Sequence, residues 1–323
     1  MNKVLYIILI SLFSLTIYSC SSSSDGGSST TTDDDTTNTS SGSGVFMTVG
    51  SSGNIVRSTD NGASFDNVTS PTANNLAGVV FGNNTFVAVG DNGTIVRSTD
   101  NGVSFENVTS PTTNYLAGVV FGNNTFVATG VSGNIVRSTD NGTTWDNATS
   151  STANTLVGVG FGNNTFVAVG DNGSIVRSTN NGSSFDNATS PTANLLYGVV
   201  FGNNTFVGVG ESGNIVRSTD NGSSFDNATS PTANKLQKVI FANNTFVAVG
   251  YDGNIVRSTD NGSSWDNATS PINTTLWGVE FGNNTFVAVG SSGNIVRSTD
   301  NGTTWDNVTS PTANHLFGVT FVE

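Results

Sequence analysis

From Val45 to the end, the chain repeats every 40 residues without insertion or deletion. One copy, Leu76 to Asn114, reads LAGVVFGNNTFVAVGDNGTIVRSTDNGVSFENVTSPTTN. A period near 40 filled with short β-branched segments predicts a propeller blade. Each copy offers four strands: Leu76–Phe81, Thr85–Gly90, Thr94–Thr99 and Val103–Val108 in the quoted unit, lettered A to D from the inside outward. The connectors Asn83-Asn84, Asp91-Asn92-Gly93 and Asp100-Asn101-Gly102 hold residues that tolerate the positive φ of tight turns. Composition agrees with an all-β chain: 38 Gly, 20 Phe and only 10% charged residues.

The strand count predicts closure. Residues 45–68 supply B, C and D only, and His315–Val322 supplies one A strand only. The totals are therefore seven of each. The expected fold is an all-β, seven-bladed β-propeller of four-stranded antiparallel blades, with the C-terminal strand completing the N-terminal blade. Such a ring has no free sheet edge along its length.

The C–D connection carries a motif. STDNGASF begins at Ser58, and variants recur from Ser98, Ser138, Ser178, Ser218, Ser258 and Ser298. This resembles the Asp-box, or BNR repeat, of the form Ser-x-Asp-x-Gly-x-x-Trp/Phe. Families carrying the box include sialidases, sortilin-type receptors and the photosystem II assembly factor class, all β-propellers. The resemblance covers residues 45–323. It implies a structural role for Asp60, Asp100, Asp140, Asn180, Asp220, Asp260 and Asp300, whose side chains would accept backbone N–H bonds while the aromatic packs into the blade. Asn180 departs from the pattern, so a slightly weaker turn is expected there.

Several functions are disfavoured. The net charge of −13 supplies no cationic footprint for nucleic acid. One Cys and one His leave no disulfide, Cys-rich or multi-His metal site. The Asp-Asn-Gly turns lack the later acidic ligands of a calcium loop. Seven Arg, at 57, 97, 137, 177, 217, 257 and 297, stand at equivalent points of strand C. Spread around a ring, they cannot converge on one carboxylate as a sialidase requires, so each is expected to pair with a local Asp or carbonyl. The many Asn-x-Ser/Thr sequons, such as Asn67-Val68-Thr69, read as turn and strand-edge polarity. No catalytic set and no cofactor are expected.

Three positions vary between otherwise similar copies. The residue before strand A runs Asn75, Tyr115, Thr155, Leu195, Lys235, Thr275, His315. The second residue of strand A runs Ala77, Ala117, Val157, Tyr197, Gln237, Trp277, Phe317. The first residue of the B–C turn runs Ser51, Asp91, Val131, Asp171, Glu211, Tyr251, Ser291. In an up-and-down blade all three lie on the face bearing the D–A and B–C connections. Tyr197, Lys235, Gln237, Tyr251, Trp277, His315 and Phe317 are expected to form one arc around the channel mouth, with Tyr115 and Glu211 as further contacts. Tyr and Trp are common anchors of recognition surfaces.

Residues 1–20, MNKVLYIILISLFSLTIYSC, have a positive start and a short apolar run, the pattern of an export signal. Ile17-Tyr18-Ser19-Cys20 resembles a bacterial lipobox, which implies lipidation of Cys20 and membrane anchoring. Residues 21–44 contain no large apolar residue and read as a tether, with a reach of roughly 25–30 Å. The Ser-rich start resembles exported lipoproteins of the Bacteroidetes type. The expected protein is a monomeric, lipid-anchored, non-catalytic scaffold of the bacterial envelope, in the outer membrane or at the cell surface, recognising a protein or glycan. The alternatives are a sialidase-like glycoside hydrolase and an assembly factor of the photosystem II type.

Overall fold

A computed structural model describes residues 44–323. The expected signal segment, Cys20 and all of the tether except Gly44 lie outside the described residues. The chain from Val45 forms seven sheets, each antiparallel in the order A-B-C-D. In blades 2 to 7, strand A begins at Leu76, Leu116, Leu156, Leu196, Leu236 and Leu276. Blade 1 joins the two ends of the repeat. Its A strand is Leu316–Val322, and its B, C and D strands are Val45–Gly50, Ile55–Ser58 and Asp66–Val68. Val45 faces Val322, Met47 faces Thr320 and Val49 faces Gly318 across the closing ladder. One outer edge is extended: Thr149–Ser150, leaving blade 3, pairs in parallel with Ser184–Asn187 of blade 4.

The burial pattern explains the composition. Strand B, TFVAVG in most copies, is buried at every residue, because neighbouring blades cover both of its faces. A strand covered on both sides reads as a continuous apolar run rather than an alternation. The core therefore lies in the seams. Val87, Val89 and Ile95 of blade 2 pack with Leu116, Phe126 and Trp145 of blade 3. The seam between blades 7 and 1 repeats this with Val287, Val289 and Ile295 against Phe46, Val56 and Phe65.

Strand D is shorter than the sequence suggests, Glu106–Val108 rather than Val103–Val108. The Asp-box consumes the missing residues as a turn. Asp100 Oδ1 accepts from the Val103 and Ser104 N–H groups at 3.1 and 3.0 Å, and Ser104 Oγ donates to Asp100 Oδ2 at 2.6 Å. These bonds, led by that of the Ser104 hydroxyl, hold the Asp100 carboxyl at about 2. Ser98 Oγ accepts from the Gly102 N–H at 3.0 Å, which closes the loop from the other side. Asn180 keeps the turn by reversing one bond. Its Oδ1 accepts from Ser184 N–H at 3.1 Å, while its Nδ2 donates to Ser184 Oγ at 2.8 Å.

The box also stitches neighbouring blades. Arg97 Nε donates to the Asn141 carbonyl at 2.9 Å, and Arg57 and Arg297 reach the Asn101 and Asn61 carbonyls at 3.1 Å. Asn141 Nδ2 returns the bond to Thr85 Oγ1 at 2.6 Å. Arg57, Arg97, Arg177, Arg217 and Arg297 thus each reach a carbonyl of the next blade, whereas, among the described residues, Nε of Arg137 and of Arg257 has no hydrogen-bond partner. Arg97 alone adds an ion pair, with Glu106 at 3.0 Å, because Glu there is one methylene longer than the Asp of the other copies.

Candidate functional site

The D–A lead-in and the B–C turn of each blade are joined by one backbone bond. Asp91 N–H donates to the Asn75 carbonyl at 3.0 Å, Tyr251 N–H to Lys235 at 2.9 Å and Ser51 N–H to His315 at 2.9 Å. All three variable positions are therefore on one face. The second and third residues of the B–C turn have positive φ, as at Asn92 (54°) and Gly93 (69°). The first residue is free of that constraint and varies most widely, while the second is confined to Ser, Asn or Asp. The opposite face is different. Asn83 and Asn84 both have positive φ, 48° and 57°, so the unvarying Asn-Asn pair is a requirement of the two-residue hairpin.

Around the mouth, blades 6, 7 and 1 carry a continuous chain of contacts. Tyr197 of blade 5 lies beside Lys235: burial raises the Tyr197 pKa and the charge of Lys235 opposes the rise. Lys235 Nζ lies 5.4 Å from the centre of the Tyr251 ring. Tyr251 meets Trp277 edge-on at 5.8 Å, and Trp277 meets Phe317 edge-on at 6.0 Å. Phe317 then lies 6.2 Å from His315. Edge-to-face geometry is the favoured arrangement of such rings. Five members of the expected arc, Lys235, Tyr251, Trp277, Phe317 and His315, are thus contiguous in space, and Tyr197 and Gln237 line the same mouth.

Individual members are tied down within it. Lys235 pairs with Glu211 at 2.9 Å, and that bond raises its pKa. Trp277 Nε1 donates to Ser291 Oγ at 3.1 Å. His315 Nδ1 accepts from the Ser292 N–H at 2.9 Å, the place taken by Asn75 Oδ1 on Ser52 N–H at 2.8 Å in the next seam. His315 therefore caps a neighbouring turn with one ring nitrogen and presents the rest of the ring to solvent. Tyr115, 38% exposed, lies on the same mouth outside the contact chain.

The arc surrounds the entrance to the central channel, a cavity of about 310 Å³ whose wall includes Tyr115, Tyr197, Gln237, Lys238, Trp277 and Phe317. Lys238 did not stand out among the three variable positions. Nor did Glu280, the other charged residue of the seven inner strands. The signal is present in the repeat. Lys238 stands where the other six copies have Gly, and Glu280 where they have Val, Gly, Ile or Thr. Burial lowers the Lys238 pKa, and burial pushes the Glu280 carboxyl up to about 7. Glu280 Oε1 accepts from the Phe281 N–H at 2.9 Å. Among the described residues, no group of three His, Cys, Asp or Glu is placed to hold a metal ion.

Fold and site define a seven-bladed Asp-box propeller with a decorated channel mouth. The DUF6242 beta-propeller domain family matches residues 194–320. No curated protein matches the chain. Among solved structures, YCF48 bound to D1 peptide is similar at TM-score 0.65 and 17% identity, over 82% of this chain and 88% of that one. YCF48 from Cyanidioschyzon merolae gives 0.62 and 16%, over 80% and 95%. The WD40 beta-propeller domain of Doa1 gives 0.61 and 12%, over 76% and 85%. At these identities the likeness is one of fold.

Proposed function

We propose that the protein is a non-catalytic binding scaffold, anchored to the bacterial envelope through Cys20, that recognises a protein segment or glycan on the face bearing the D–A and B–C loops. One observation carries this reading. In a chain whose copies are nearly identical, the divergent aromatic and charged residues form one contact chain, from Lys235 to His315, on one face, with Tyr197 lining the same mouth. The fold-level likeness to YCF48, which in one structure is bound to a D1 peptide, supports the protein-segment form of the reading. An assembly factor that holds its client there would be a special case of it. The repeated, inter-blade role of the arginines leaves the hydrolase alternative without a substrate clamp.

Val45 enters blade 1 opposite Val322, at the end of the sheet that carries the A–B turns, opposite the decorated face. Acylation has a direct check: labelled palmitate incorporated by the wild type and absent from Cys20→Ala. Uptake by neither protein would overturn the anchor.

Recognition is tested on a glycan and envelope-protein array, followed by rim variants against the first ligand found. Tyr197→Ala combined with Tyr251→Ala should weaken binding at least tenfold, because each ring is an anchor worth about 2 kcal/mol. Thr155→Ala, on the undecorated side of the mouth, should change it little. Equal effects from both, with unchanged melting temperatures, would move the site off the arc.

A further inference from the structure

The channel beneath the arc holds a lysine that forms no salt bridge, with Glu280 close enough to attract it. The ion pairs among the described residues are Arg97–Glu106 and Lys235–Glu211, and Lys238 is in neither. Lys238 lines the cavity, beside Gln237 and near Trp277. The nearest acid by topology, Glu280, is on the next inner strand, two residues deeper, with one oxygen taken by Phe281 N–H. The position is tight in part of the ring. At the equivalent Gly118, Gly158 and Gly278, an added Cβ would lie 2.6–2.9 Å from a carbonyl oxygen of the following blade, and at Gly78, Gly198 and Gly318 it would lie 3.1–3.5 Å from one. The other six blades close their inner strands with glycine here, so the ring does not need a lysine to pack.

We infer that Lys238 makes the channel mouth a carboxylate site, taking the acidic end of a ligand whose apolar or aromatic body lies against Tyr197, Trp277 and Phe317. This rests on the binding-face reading above and specifies its chemistry. An ammonium desolvated by burial regains a partner when a carboxylate enters, and a charge-assisted bond in so enclosed a place is stronger than one at the surface. Burial raises the Glu280 pKa to about 7, which weakens its competition for the ammonium on the acid side of neutrality. The volume, about 310 Å³, accommodates a small organic acid or the last residue of a chain, and both present the same group.

The two sources are separated by the probes. Calorimetric and ligand-detected NMR titrations at pH 6.5 would use 3-phenylpropanoate against 3-phenylpropanamide, and Ala-Ala-Phe with a free against an amidated C-terminus. The wild type should favour the acid at least tenfold in one pair or both. A preference in the phenylpropanoate pair alone assigns the site to small acids. A preference in the peptide pair alone assigns it to chain ends. Lys238→Met should abolish the preference while leaving amide binding in place, and Lys238→Gly, which restores the residue of the other blades, should do the same in a protein certain to be packable. Glu280→Gln should retain it. Equal binding of acid and amide by the wild type, binding of neither, or a preference that survives both Lys238 variants would overturn the carboxylate site. The rim reading would still stand if Tyr197→Ala with Tyr251→Ala abolished binding of the array ligand; it would fall separately if that ligand were indifferent to them.

Discussion

Removing Leu316–Glu323 should abolish cooperative folding. The deletion strips blade 1 of its inner strand and exposes Val45–Gly50, every residue of which is buried in the intact ring. It also removes Leu316 and Val319 from the seam that holds Phe46, Val56 and Phe65 against blade 7. An unpaired, apolar strand at a sheet edge is a template for association. Thermal melting followed by circular dichroism, with size-exclusion chromatography, should show aggregation or a broad, non-cooperative transition. A point substitution sharpens the test. Leu316 and Leu196 are both fully buried at equivalent places. In a closed ring Leu316→Ala and Leu196→Ala should each cost about 2–5 kcal/mol. In an open array the terminal blade would be the cheaper one to damage. A truncated protein that melts like the intact one, or a Leu316→Ala cost far below that of Leu196→Ala, would overturn the closure's energetic role.

Closure was legible because it is arithmetic on a repeat. Seven box motifs at constant spacing, three strands before the first A strand and one A strand after the last D strand admit one ring. The face was legible for a related reason. Variation that recurs at the same three points of a blade must recur at the same height on the ring. What the repeat does not encode is contact across a seam. The Arg97 bond to the Asn141 carbonyl spans one repeat plus four residues, and it depends on how far one blade is rotated against the next. The pairing of Lys235 with Glu211, and the capping of Ser292 by His315, depend on the same rotation. They turn residues expected as free contacts into partly engaged ones. Strand D was read too long because Val103, Ser104 and Phe105 have strand-like composition, and only the Asp100 bonds show that they form a turn. Lys238 and Glu280 lie outside the three positions of widest variation, and each is a charge in one blade only, so the repeat alone assigns neither a role.

Glu280 should make the protein less stable as pH rises through neutrality, the reverse of the usual carboxylate. Its folded pKa is raised to about 7 by burial, against an ordinary value of 4.5. Between these values the unfolded chain has released the proton and the folded ring has kept it. The folded state then binds more protons, and stability falls with increasing pH. Stability from this group is complete below about pH 4.5 and is lost by the time pH passes about 7. The full shift corresponds to at most about 3 kcal/mol, reduced by the water that reaches the channel wall. The inner strands that flank Glu280 carry one other charged group, Lys238, whose ammonium opposes the rise and whose own pKa burial lowers. The box carboxylates act at the other end: Asp100 and Asp260, held at about 2, withdraw their stabilisation only as pH falls through the acid range. The box carboxylates are shared by Glu280→Gln, so the difference between the two proteins reports Glu280 together with its attraction to Lys238. Urea unfolding at pH 5 and pH 8 should show the wild type losing stability that Glu280→Gln keeps. The variant should gain on the wild type by roughly 1–3 kcal/mol at the higher pH. Parallel pH profiles would mean that channel water solvates the carboxylate as well as bulk water does, and that Glu280 is charged throughout the neutral range.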